Sequence, residues 1–359
     1  MELKFDTSKT YALCLEGGGA RGAYQIGAWQ ALCEAGVKIT AAAGSSVGAL
    51  NGALIAMENP DLAFNLWYNM RFSRVMDVDD AQMRKIMTGK LLDLNIKSAH
   101  GKLKRVLKDG GFDVTPLKNL IKDTLDCEKI RNSDIRLFIC THSITDHKGL
   151  EFEAKKLGDE ELRDMLLASA YFPAFKHEEI GGKLYTDGGV SNVLPLSPLV
   201  SRGFKNIISI RLYGLGTQKR ISIPKGTTVT EIAPKKDLGN MLNFDTEPCR
   251  KNLSLGYFDA KRLLYGLYGE KYYIDRTLSE EDAYKILFTV VKNKAETDAS
   301  LRHIHTDLLK FAKESGAKGD YYDVLVAFIE KSAERLKINE FSIYTDAELL
   351  AKIGVKNGN

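Results

Sequence analysis

The chain has 359 residues, 44% of them hydrophobic and 27% charged, with a net charge of +4. Those proportions exclude a disordered or fibrous protein, and a chain of this length buries enough surface to fold without a disulfide framework. The small positive charge does not by itself indicate nucleic acid, so none is expected as a partner, and it leaves contact with an anionic membrane surface open.

In chain order, the polar start from Met1 to Thr10 has no apolar core of the kind a secretory signal peptide needs. Tyr11–Leu15 is a short apolar run ending in glycines and predicts a buried strand. Ala23–Ala35 has helical spacing, with Gly36 placed to end it, and Val37–Ala43 predicts a second strand. Val47–Met57 predicts a small-residue helix closed by Asn59-Pro60. This alternation of strand and helix is the rhythm of an α/β fold with a parallel sheet. Ile135–Thr141 and Asn206–Leu212 predict further buried strands, Leu150–Ala154 and Lys183–Thr186 shorter ones, and Glu160–Ala170 an amphipathic helix. Ala41–Met57 is interrupted by Gly, Ser and Asn, and no run is apolar enough to span a bilayer.

Two stretches look like additions. Met70–Gly111 is rich in cations (Arg84, Lys85, Lys90, Lys97, Lys102, Lys104, Arg105 and Lys108) and predicts a solvated helical insertion, with a lid or membrane-facing surface as the alternative. Charge reversal at Lys102, Lys104 and Arg105 is expected to weaken binding to anionic vesicles. Beyond Gly214 a Gly/Lys/Pro-rich loop to Pro234 precedes helical patterns at Glu280–Lys294, Leu301–Glu314 and Tyr321–Leu336. The five cysteines, Cys14, Cys33, Cys127, Cys140 and Cys249, are odd in number and scattered. They predict free thiols rather than disulfides or a zinc site.

Three short motifs carry chemistry. Gly44-Ser45-Ser46-Val47-Gly48 matches G-x-S-x-G between a predicted strand and a predicted helix. That context would put the Ser46 hydroxyl on a sharp turn at a helix N-terminus, with Gly44 and Gly48 letting the backbone take a strained conformation without Cβ clashes. A helix start with Ser46 as an ordinary N-cap is the alternative. Gly17-Gly18-Gly19-Ala20-Arg21-Gly22 follows a strand and opens a helix. As G-x-G-x-x-G it would bind a dinucleotide, but that needs an acid about 20 residues on, at the end of the next strand, and Val37–Ala43 contains none. As consecutive exposed N–H groups, with Arg21 adding positive potential, the same residues make an oxyanion hole. Asp187-Gly188-Gly189 follows a short strand, where an Asp is also an ordinary turn residue.

In this order, GGGARG, GSSVG and DGG resemble the patatin-like phospholipase family, and the resemblance covers about residues 8–215. Ala168–Phe175 and Asn192–Pro195 are similar to segments flanking the family's acid motif, and Leu255–Asp259 and Gly269–Tyr273 look like bacterial members. The resemblance implies a three-layer α/β fold, with a mainly parallel central sheet flanked by helices. The catalytic domain would be residues 8–215, with the basic helical insertion at about 70–111, followed by a mainly helical region at 216–359. It also implies a Ser46–Asp187 dyad with no metal or cofactor.

An ordinary carboxylate is a weak base for a serine hydroxyl, so Asp187 needs a raised pKa or a concerted proton transfer. The expected activity is serine acyl hydrolysis of phospholipids or other acyl lipids through an acyl-enzyme. The oxyanion would be held by the N–H groups of Gly18, Gly19 and Ala20. A Ser-His-Asp triad using His303 or His305 is a second arrangement. A lipid- or partner-binding protein with conditional or negligible turnover is a second function. Cytoplasmic location, peripheral at a membrane or exported without a cleaved signal, is the expectation.

Overall fold

The structure is a computed structural model that describes residues 1–87, 111–173, 175–294, 312–313 and 319–355. It divides into two compact units, Asp6–Ala260 and Met1–Phe5 with Lys261–Asn359. Residues 216–260 therefore belong to the unit that holds the sheet, past the boundary at 215 expected from sequence.

In the larger unit the strands are β1 (Thr10–Leu15), β2 (Lys38–Ser45), β3 (Arg136–Ser143), β4 (Lys148–Glu153), β5 (Tyr185–Thr186), β6 (Asn206–Ile210) and β7 (Thr228–Ile232). They form one sheet in the order β4-β3-β2-β1-β6-β7, with β5 also on β3. The run from β3 to β7 is parallel, whereas β4 and β5 are antiparallel to β3. β7 lies within the segment to Pro234 expected to be a loop. Its Thr-Val-Thr-Glu-Ile pattern suits an edge strand, and it pairs along the whole of β6.

Alternate residues of a strand face opposite sides of the sheet, and here both sides are covered. Ala12, Cys14, Ala41, Ala43, Phe138 and Ile207 form one buried cluster with Val193, Leu194 and Leu199. On the opposite face, Gly52 of α2 (Val47–Ala56) lies against Leu137, Leu15 and Ala42. Burial on both faces is why β1 reads as a nearly continuous apolar run. The expected three layers, with a mainly parallel sheet between helices, are present. Four of the five cysteines are buried and Cys33 is exposed; all are free.

α1 (Ala23–Glu34) and α2 are apolar all round because both are interior. Asn59-Pro60 does more than close α2: Asn59 caps α3 (Pro60–Tyr68) by accepting from the Leu62 N–H at 3.0 Å, and Pro60 occupies its first turn. Of the basic insertion, α4 (Asp80–Met87) is described, and Arg84 pairs there with Asp245 at 2.7 Å. Lys90, Lys97, Lys102, Lys104, Arg105 and Lys108 lie outside the described residues. The remaining helices of the unit are α5 (Thr115–Thr124), α6 (Cys127–Asn132), α7 (Asp159–Ser169), α8 (Gly189–Asn192), α9 (Ser197–Ser201) and α10 (Thr246–Tyr265), the last running past Ala260. α7 opens on Asp159, Glu160 and Glu161, which suit the positive end of its dipole.

The smaller unit holds a two-stranded parallel sheet, β8 (Tyr273–Asp275) with β9 (Ile343–Thr345). Around it are α11 (Glu280–Lys294), α12 (Tyr321–Arg335) and α13 (Asp346–Lys352). Buried Asp346 accepts from the N–H groups of Thr277 and Leu278 and from the Tyr322 hydroxyl, which pins α12 and α13 to that turn. The predicted helix at Leu301–Glu314 falls almost wholly outside the described residues.

α1 and α10 cross at backbone contact. A Cβ on Gly27 would sit 1.9 Å from the Leu253 carbonyl oxygen, and one on Gly256 would sit 1.8 Å from that of Tyr24. Mid-helix Gly→Ala in open space stabilises by about 1 kcal/mol. At this crossing the backbone must move apart, at a cost of roughly 1–3 kcal/mol or more. Gly27→Ala and Gly256→Ala are each expected to lower the thermal midpoint. A rise in either would show that the helices do not touch there.

Candidate active site

The three sequence motifs converge at the carboxyl ends of the parallel strands β1, β2 and β3. The glycine loop follows β1 at Leu15, Ser46 follows β2 at Ser45, and Asp187 follows β5 beside the end of β3. The crevice beyond the carboxyl ends of the strands is the usual ligand position in open α/β sheets.

Ser46 has φ 55 and ψ −130, a conformation that non-glycine residues rarely hold. By position it is the N-cap of α2, but its hydroxyl makes no capping bond. Instead it donates a short hydrogen bond to Asp187 Oδ2. Neither flanking glycine has positive φ, and what each avoids is a Cβ clash. A Cβ on Gly44 would lie 2.1 Å from the Gly48 carbonyl oxygen, and one on Gly48 would lie 2.3 Å from that of Leu15. They are small because the first turn of α2 meets the end of β2 at Gly44 and the end of β1 at Gly48.

Asp187 is buried and held on both oxygens. Oδ1 accepts the Gly189 N–H at 2.8 Å, the turn role that Asp-Gly-Gly suggests, while Oδ2 takes the Ser46 hydroxyl. Its own N–H donates to the Tyr171 carbonyl at 2.8 Å. Gly188 is packed so that a Cβ would lie 2.2 Å from the Cys140 carbonyl oxygen. Burial pushes the Asp187 carboxyl up to about 6; the Ser46 and Gly189 hydrogen bonds pull the other way and do not overcome it.

The glycine loop divides its donors. The Gly17 N–H donates to the Val193 carbonyl at 2.9 Å, that of Ala20 to Met241 at 2.7 Å, and that of Arg21 to Gly18 at 3.2 Å. Ala20 is therefore not a free donor, contrary to expectation. The N–H groups of Gly18 and Gly19 have no acceptor among the described residues, and both glycines line the cavity that Ser46 lines. The Arg21 guanidinium bonds the carbonyls of Gly239, Leu212 and Tyr213 at 2.8, 3.2 and 2.8 Å, so it staples surrounding loops. Gly22 packs against Val47 and accepts from Asn51 Nδ2 at 2.9 Å.

Several positioning groups carry no motif of their own. Ser169 Oγ accepts the Ser46 N–H at 2.9 Å and donates to the Cys140 carbonyl at 2.6 Å, while its carbonyl accepts the Gly188 N–H at 3.1 Å. One serine thus joins both turns; the Ala168-Ser169-Ala170 resemblance is the signal that points to it. Buried Glu16, just before the glycines, accepts the N–H groups of Leu212 and Tyr213 at 2.6 and 3.0 Å and pairs with Arg211. Asn51 bonds Gln25 and Trp67 across the cavity wall.

The cavity encloses about 370 Å³, within the range of small-ligand pockets. Leu54, Trp67, Leu120, Ile121, Phe172 and Phe244 are among its walls, and its polar side chains are few, Ser46, Asn51, Thr124 and Asp187 among them. Among the described residues no histidine bonds Ser46 or Asp187: His142 meets Ser191, and His177 meets the Tyr185 carbonyl. His100, His303 and His305 lie outside the described residues. No described helix is long and apolar enough to cross a membrane, and no described group of three or more His, Cys, Asp or Glu is arranged around a metal position.

The family model for patatin-like phospholipases matches residues 13–200, just over half of the chain. Patatin-like phospholipase domain-containing protein 7 of Mus musculus is 29% identical over 204 residues, 57% of this chain and 14% of that one. An NTE family protein of Mycobacterium bovis is 27% identical over 215 residues, 60% of this chain and 52% of that one. The chain thus spans about half the length of one of these curated relatives and a small part of the other. Among solved structures, VipD from Legionella pneumophila aligns with a TM-score of 0.43 at 14% identity, covering 96% of this chain and 88% of that one.

The raised Asp187 pKa has a consequence for stability. The folded state holds the proton more tightly than the unfolded one. This group's contribution to stability is therefore full below pH 4 or so and is lost as pH rises through about 6. A rise of that size corresponds to roughly 3 kcal/mol. Asp187→Asn keeps the shape and cannot ionise. It is expected to be more stable than wild type at pH 8, with the advantage shrinking toward pH 4, measured by denaturant titration. A variant less stable than wild type at pH 8 would contradict the buried, uncompensated carboxylate.

Proposed function

The chain belongs to the patatin-like phospholipase family, and we propose that it is a serine lipid acyl hydrolase using a Ser46–Asp187 dyad. The observation that carries this reading is the hydrogen bond from the Ser46 hydroxyl to a buried Asp187, on the wall of an apolar cavity. A strained serine bonded to a base is the arrangement an acyl-transfer nucleophile needs.

The chemistry follows from the charges. Asp187 takes the Ser46 proton as Oγ attacks the ester carbonyl. A carboxylate raised to about 6 is a stronger base than an ordinary one and is still mostly ionised at neutral pH. The Gly189 N–H holds the other carboxylate oxygen and keeps Oδ2 aimed at Ser46. The oxygen that becomes negative in the tetrahedral intermediate is received by the N–H groups of Gly18 and Gly19. A single such donor is worth about 10²–10³ in rate. Asp187 returns its proton to the departing alcohol. It then deprotonates the water that attacks the acyl-enzyme, and gives that proton back to Ser46 Oγ as the Oγ–acyl bond breaks and the fatty acid leaves. The apolar walls receive the acyl chain, which makes long-chain lipid esters the substrate class, with phospholipids and lysophospholipids foremost. Each step is carried by these side chains and backbone groups.

Wild type is expected to be labelled by a fluorophosphonate probe and to cleave a short nitrophenyl ester. Ser46→Ala and Asp187→Ala are expected to lose about 10³-fold or more of the cleavage while remaining folded. Wild-type kcat/KM is expected to rise with pH through about 6 and then level, since the free base must be ionised. Activity retained in Ser46→Ala, or a profile flat from pH 4 to 8, would overturn the dyad.

A further inference from the structure

The rim of the cavity carries apolar side chains that face solvent. Val190 and Leu215 line the cavity and are also 44% and 78% exposed. Tyr213, two residues before Leu215, is 53% exposed and has φ 49, a costly conformation for an aromatic residue. Its backbone is held there from both sides: the N–H donates to Glu16 Oε2 at 3.0 Å, and the carbonyl accepts from Arg21 at 2.8 Å. Strain of this kind persists only where the surroundings over-determine it.

The following stretch is tied down as well. The Thr217 N–H donates to the Gly189 carbonyl, and the Val193 N–H to the Thr217 carbonyl, both at 2.8 Å, which fixes the segment along α8 and next to Val190. Residues 213–227 contain no acid and three cations, Lys219, Arg220 and Lys225, all exposed. None of the three is in an ion pair among the described residues. Ile223 between them is exposed too.

We infer that this rim, Tyr213–Lys225 together with Val190, is the surface by which the protein docks on an anionic phospholipid interface. The proposal rests on the acyl hydrolase reading above and extends it to the form in which substrate is met. Exposed apolar side chains favour the acyl boundary, and exposed cations favour anionic headgroups; the two together on one segment suit a lipid surface. Docking there turns the apolar cavity toward the bilayer, so an acyl chain reaches Ser46 without crossing water.

The test is co-sedimentation of the full chain, carrying Ser46→Ala so that no lipid is consumed, with phosphatidylcholine vesicles with or without phosphatidylglycerol. Binding is expected to need phosphatidylglycerol and to fall with salt. The combined Lys219→Glu, Arg220→Glu and Lys225→Glu variant is expected to lose about tenfold or more at low ionic strength. Tyr213→Asn, a residue that tolerates the left-handed backbone, is expected to weaken binding to anionic vesicles as well. With Ser46 restored, both variants are expected to cleave a soluble short-chain nitrophenyl ester as wild type does, which shows that they are folded. Vesicle binding unchanged by the charge reversal, or no preference for anionic vesicles, would overturn the docking surface and leave the hydrolase reading standing. Retention by an acidic protein with no binding to either vesicle would overturn it in favour of a protein partner. Vesicle binding that fails in these variants, with no Ser46-dependent ester cleavage in wild type, would support docking and overturn the hydrolase.

Discussion

A carboxylate removed from water and given two hydrogen bonds but, among the described residues, no cation is the constraint on which the rest of the site depends. Asp187 is bonded by the Ser46 hydroxyl and the Gly189 N–H, and these do not offset its burial. A guanidinium beside it would pull its pKa back down and weaken it as a base. The one arginine of the glycine loop, Arg21, is turned to three backbone carbonyls instead. The fold thus accepts a less stable carboxylate in exchange for proton affinity, a trade common where function needs strain. The strained φ of Ser46 belongs to the same pattern, since the Ser169 hydroxyl and the close contact of Gly44 with Gly48 hold it in place.

The strands and the first two helices were legible because their patterns are long and one-sided or wholly apolar. β1, β2, β3, β6, α1 and α2 all lie where hydrophobic periodicity puts them, within a residue or two at each end. β7 was not, because five residues of Thr, Val, Glu and Ile amid Gly, Lys and Pro carry little signal until β6 is there to pair with. α10 was missed for a related reason. Its glycine, Gly256, lowers its helical signal, and the requirement for it comes from α1, some 230 residues earlier in the chain.

At the site, spacing and residue type point to Ser46, Asp187 and the glycine loop, which the structure brings to one cavity. What each loop group does was not in the sequence. Whether an N–H is free depends on where distant carbonyls lie, and Val193 and Met241 take those of Gly17 and Ala20. The roles of Ser169, Glu16 and Asn51 are likewise set by partners remote in the chain, and isolated polar residues of these types are common in any sequence. The apolar cavity draws its walls from segments spread between Gly17 and Phe244, so no local pattern announces it.

The most direct test of this account is a crystal structure of the protein after reaction with a long-chain alkyl fluorophosphonate. The account predicts phosphorus on Ser46 Oγ, a phosphoryl oxygen within hydrogen-bond distance of the Gly18 and Gly19 N–H groups, and the alkyl chain in the cavity between Leu54 and Ile121. An adduct on another residue, a phosphoryl oxygen turned away from the glycine loop, or an alkyl chain left in solvent would contradict it.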